Sequence, residues 1–71
     1  METLDKLFIT ARDDIGSFKF HTSIENRLNA MNSIGAIEGY LKAAKEFEKI
    51  DNETYVTKFD DMTKLYDKIK V

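Results

Sequence analysis

The chain contains no cysteine, proline or tryptophan, a single histidine and only three glycines among its 71 residues. Without cysteine there is no disulfide scaffold, no thiol nucleophile and no zinc–cysteine site. One histidine cannot form a His-rich metal cluster. With no proline, and glycine confined to Gly16, Gly35 and Gly39, few residues interrupt a helix, so long helices are the expectation. No stretch approaches the roughly 20 apolar residues of a membrane span, and residues 1–15 carry acids where a signal peptide would be apolar. An excess of one charge is missing too: 11 basic residues face 13 acidic ones, for a formal net charge of −2. The class left is a soluble intracellular chain, expected in the cytoplasm.

What is present, 42% hydrophobic and 34% charged residues, is the mixture of an ordinary globular domain. Residues 1–71 make a single small domain. A chain of this length buries only about 60% of its unfolded surface, so its own core is marginal and a partner surface would add to it.

Leu4, Leu7, Phe8, Ala11 and Ile15 recur at helical spacing and predict a short first helix over residues 4–15, with Gly16 as its stop. Ile9 points to the opposite side. Residues 16–22 alternate apolar and polar around Phe18 and Phe20; with no second strand to pair with, they read as an extended connector. Thr22-Ser23-Ile24-Glu25 has the form of a capping box, with Thr22 at the N-cap and Glu25 reaching back. A long helix follows to about Lys49. Its apolar positions drift: Ile24, Leu28 and Met31 share one face, whereas Ile37, Leu41 and Ala44 lie roughly 120° around from it. That helix is expected to meet different neighbours along its length, or to bend near Gly35 and Gly39.

Asp51 or Asn52 caps a third helix, in which Tyr55, Phe59, Met62, Tyr66 and Ile69 step by four and three and Leu65 widens the seam. The short connection around residues 50–52 predicts an antiparallel hairpin of the second and third helices. Their expected lengths, about 39 Å and about 27 Å, do not match. The first helix or a second copy of the chain is left to cover the difference.

Chemistry-bearing residues are scattered. His21 has no acid or nucleophile at a telling spacing and reads as a surface or capping residue. Asp13, Asp14, Asp60, Asp61 and Asp67 invite a metal, but adjacent acids point to different helix faces and no calcium loop is present. Ser17, Ser23 and Ser33 lack a nucleophile-elbow context, and no Gly-rich phosphate loop occurs. No catalytic, metal or cofactor-binding residue is nominated, and the chain is not expected to be an enzyme; a carboxylate–metal activity is a third-ranked reading. Lys42, Lys45 and Lys49, and Lys64, Lys68 and Lys70, form two basic groups, each interleaved with acids. Glu38–Lys42 and Asp60–Lys64 are i,i+4 pairs of an exposed helix. A duplex binder needs unbalanced positive charge, which this chain lacks.

A stripe of small residues is more informative. Asn32, Gly35, Ala36, Gly39 and Ala43 run along one side of the long helix. Each helical glycine costs roughly 1 kcal/mol relative to alanine, and close approach of another helix is the usual reason. Either the chain's own last helix or a second molecule lies there. With Ile9, Phe18 and Phe20, which a three-helix core leaves outside, these residues form the candidate interface.

Residues 24–70, with Ala30-Met31-Asn32-Ser33 in the long helix and Leu65-Tyr66-Asp67-Lys68-Ile69-Lys70 near the end, resemble the small YvfG-type helical proteins of Bacillus. The segment before Ile24 lies outside that resemblance. It implies a helical hairpin that pairs as a dimer and brings no assigned activity with it.

The expectation is therefore an all-α protein: a short N-terminal helix plus a long antiparallel helical hairpin, three helices, forming a dimeric bundle. The expected function is a non-catalytic protein-interaction module, a regulator or inhibitor of bacterial or phage origin that docks helix surfaces onto a protein partner. A nucleic-acid-associated regulator is the alternative. No cofactor and no membrane partner are expected.

Overall fold

The computed structural model describes residues 2–70. Three helices account for its regular structure: α1 (Glu2–Phe20), α2 (Ile24–Glu46) and α3 (Asn52–Asp67). They pack side by side into an elongated all-α bundle of 38 × 19 × 14 Å. None is long and apolar enough to cross a membrane.

α1 buries Leu4, Phe8, Ala11 and Ile15, one stripe at intervals of four, three and four. It does not stop at Gly16, and it is not short. The helix continues through Phe20, so most of the expected extended connector is helical. Phe18 explains this, since it lies three residues beyond Ile15, extends the same stripe and packs against the core. Gly16 in a helix costs about 1 kcal/mol relative to alanine. Burying an aromatic side chain contributes roughly 1.5–3 kcal/mol when complete, so even partial burial offsets that cost. The loop that remains is residues 21–23.

α2 starts one residue later than expected. Ser23, not Thr22, is the N-cap, and its hydroxyl accepts from the Asn26 backbone N–H at 3.0 Å. That register puts Asn26 rather than Glu25 at the third helical position, so no reciprocal capping box forms. α2 then buries Ala30, Ile34, Ile37, Leu41 and Ala44. It ends at Glu46, short of Lys49, because Glu48 turns left-handed at φ 58°. The Glu48 N–H donates to the Lys45 carbonyl and the Lys49 N–H to the Ala44 carbonyl, which is a Schellman closure made without glycine.

Asp51 caps α3 by accepting from the Thr54 N–H at 2.7 Å. Met62, Leu65 and Ile69 are buried, while Tyr66 is more than one-third exposed. The seam therefore runs through Leu65, and Tyr66 lies at its margin. Lys45 stands 4.4 Å over the Tyr55 ring, joining the end of α2 to the start of α3.

α2 is the central helix. It packs against α1 along most of its length and against α3 over a shorter span, and α1 and α3 touch least. Asp14 accepts from Ser33, and Ser17 accepts from Asn26, a register that runs α1 antiparallel to α2. Leu4 of α1, Ile37 and Leu41 of α2, and Ile69 in the turn after α3 are fully buried.

Candidate interaction surfaces

α3 has 16 residues and α2 has 23, a difference of about 10 Å of helix. Antiparallel pairing from the turn at residues 47–51 therefore leaves the first turns of α2 beyond the reach of α3. The apolar residues there face outward: Ile24 is 81% exposed, Leu28 52% and Met31 37%. Where this stripe meets α3, an open groove of about 400 Å³ is lined by Met31, Ile34, Gly35, Phe59, Met62 and Tyr66. The drift of apolar positions is thus a change of neighbour: the Ala30–Ile34–Ile37–Leu41 face makes the core, Met31 borders α3, and Ile24 and Leu28 lie open to solvent among the described residues.

Asn32, Gly35, Ala36, Gly39 and Ala43 are all exposed. A Cβ built at Gly35 or Gly39 meets nothing within 4 Å. The chain's own last helix does not cover this stripe.

On α1, Ile9 is 54% exposed and Phe20 94%. Phe18 and Phe20 do not act together, since one packs against the core and the other projects from the end of the helix. Ile9 borders a smaller hollow with Asp5, Phe8, Arg12, Lys58 and Asp61. The Arg12 guanidinium lies 5.6 Å and the Lys58 ammonium 5.8 Å from the Phe8 ring centre. That wall is mixed in charge and aromatic at its floor.

Asn26 and Ser33 carry interhelical hydrogen bonds that periodicity alone did not single out. Asn26 was legible only through its distance from Ser23, and Ser33 through its place on the side of α2 that faces α1.

No cluster of three acids or histidines suited to a metal occurs among the described residues. Glu2–Lys6, Glu38–Lys42 and Asp60–Lys64 pair at 3.3, 3.7 and 3.2 Å on open helix surface, where such pairs contribute little to stability. Compared with protein-family models, curated proteins and solved structures, the chain matches none.

Proposed function

We propose that the protein is a non-catalytic interaction module, a small cytoplasmic regulator or inhibitor that pairs with itself and docks helix surfaces onto a protein partner. One observation carries this reading. The chain closes a core from all three helices and still leaves Ile9, Phe20, Ile24, Leu28, Phe47 and Val56 more than half exposed. Scattered exposed apolar residues are common, but grouped ones mark contact surfaces, and Ile24, Leu28 and Met31 are grouped beside an open groove. The resemblance to YvfG-type hairpins favours pairing in the same way.

The test compares the wild-type chain with the Ile9→Lys/Phe20→Ser variant, both immobilised, in capture from a cell extract. Both substitutions lie on exposed surface, so helicity should be unchanged. The reading expects a protein retained by the wild type and lost by the variant. Retention that collapses with added salt and is abolished by nuclease would favour the nucleic-acid alternative. Equal retention by both chains would remove α1 as the docking face.

A further inference from the structure

Of the three helix pairs, α1 and α3 touch least, and a hollow of about 200 Å³ lies in their seam. Phe8 is its floor and Ile9 one of its sides. Each helix then adds one cation and one carboxylate: Arg12 and Asp5 from α1, Lys58 and Asp61 from α3. The Arg12 and Lys58 cations both lie against the Phe8 ring, so two like charges converge there. Charges that served only to join α1 to α3 would close into ion pairs. These do not. The ion pairs among the described residues are Glu2–Lys6, Glu38–Lys42 and Asp60–Lys64, and none of the four charges of the hollow belongs to them. Nor does any of the four take part in a side-chain hydrogen bond among those residues. Lys58 and Asp61 are half-buried and stand at i,i+3 spacing, which permits a pair, yet they stay apart. Partly desolvated charges without partners cost free energy that a ligand carrying both signs recovers.

We propose that this hollow binds a zwitterionic α-amino acid with an apolar side chain. The ligand carboxylate is held by the Arg12 guanidinium and the Lys58 ammonium, its own ammonium by Asp5 and Asp61, and its side chain by Phe8 and Ile9. Three features set the class. The volume lies below the roughly 300–1,000 Å³ of sites for drug-sized molecules, so the occupant is small. Two cations and two carboxylates leave the hollow with no formal charge; a lone anion meets Asp5 and Asp61, and a lone cation meets Arg12 and Lys58. A zwitterion without an apolar group would leave Phe8 and Ile9 facing water. The bound amino acid touches both helices and ties α1 to α3 where the fold itself does so least. Asp5 and Arg12 are exposed, so the charge contacts are weak and Kd is about 1–10 mM. This is a small-molecule site, and it stands whether or not α1 captures a protein.

Titration of the full chain with L-leucine, followed through the Ile9 methyl and Phe8 ring resonances, should saturate in that range. Isoamylamine lacks the carboxylate, isocaproate lacks the ammonium and glycine lacks the side chain. Each should bind at least about tenfold more weakly than leucine. Leucine should also raise the melting temperature by more than glycine does at equal concentration, which separates binding from a general solute effect. Arg12→Gln and Lys58→Gln should each weaken leucine by at least about tenfold with helical circular dichroism unchanged, and Lys42→Gln on α2 should have no effect. Asp5→Asn/Asp61→Asn should invert the selectivity, so that isocaproate binds more tightly than leucine, a result that damage to the fold would not produce. No shift at Ile9 or Phe8 up to about 100 mM leucine overturns the proposal. So does equal binding of leucine, isoamylamine and isocaproate, or leucine binding undiminished in both Arg12→Gln and Lys58→Gln.

Discussion

The Asn26 side-chain amide donates to the His21 carbonyl at 2.9 Å, across the loop that joins α1 to α2. The same amide reaches the Ser17 carbonyl at 3.3 Å, while the Asn26 backbone N–H is held by Ser23. One residue thus adds a second donor to carbonyls that already accept the His21 and Ser23 backbone N–H groups, and is itself part of the cap of α2. Asn26→Ala is expected to cost about 1–2 kcal/mol, the worth of a helix cap or a pair of side-chain-to-backbone hydrogen bonds. Asn26→Asp should lose a similar amount because a carboxylate cannot donate. Urea denaturation of the three chains measures this; a loss no larger than that of an exposed control such as Asn29→Ala would show that the link is not stabilising.

Phe18 and Phe20 are two residues apart, and an α-helix sends them to different sides. Phe18→Ala should destabilise the fold by roughly 1–3 kcal/mol, since its ring is part of the core margin. Phe20→Ser, at an almost fully exposed position, should leave the melting temperature within about 2 °C of wild type, as surface substitutions do. Equal losses in both variants would contradict the placement of the two rings.

The alternation that made residues 16–22 resemble a strand was genuine, but too short to decide between periods of 2.0 and 3.6. Phe18 fits both, and its contact with the core decided for the helix. Three helices, their order and most of the α1 and α2 core were legible because Leu4, Phe8, Ala11, Ile15, Ile37 and Leu41 repeat without ambiguity. The ends were less legible. Gly16 looked like a terminator yet stays helical, while α2 closes at Glu48, which lacks the usual signal for a left-handed residue. On the candidate surface, the shared face of Ile24, Leu28 and Met31 could be read from spacing alone. That α3 would not reach it followed from the length mismatch. That α3 leaves Gly35 and Gly39 exposed required three dimensions.

Asp51 gives the fold a pH dependence whose sign is defined. Hydrogen bonds from Thr54, from its side chain first and its backbone N–H second, hold the Asp51 carboxyl below its ordinary value of 3.8. A carboxyl with a lower pKa in the folded than in the unfolded chain binds fewer protons when folded. Its contribution is therefore fully present above the ordinary value and is lost as pH falls through the depressed one. Asp51→Asn keeps an acceptor at the N-cap without a titrating group. The melting-temperature difference between wild type and Asp51→Asn should be flat at neutral pH and shift against the wild type only in acid, below 3.8. A difference that varies between neutral pH and mild acidity would assign the effect to another group.

Glycine and its absence make opposite demands within α2 and just beyond its C-terminal end. Glu48 holds a left-handed backbone at φ 58°, a conformation that costs a side chain roughly 1–2 kcal/mol and glycine almost nothing. Glu48→Gly should therefore raise stability by about 0.5–1 kcal/mol, after the greater freedom of unfolded glycine is deducted. Gly39 is the reverse case: its backbone is helical, and a Cβ would meet nothing within 4 Å. Gly39→Ala should raise the stability of the isolated chain by up to about 1 kcal/mol through helix propensity alone. Both gains are measured at concentrations where the chain is monomeric. If Gly39→Ala stabilises the monomer but weakens partner capture, the glycine is there for close approach of another molecule. A stabilised chain with unimpaired capture would leave Gly39 without a role in binding.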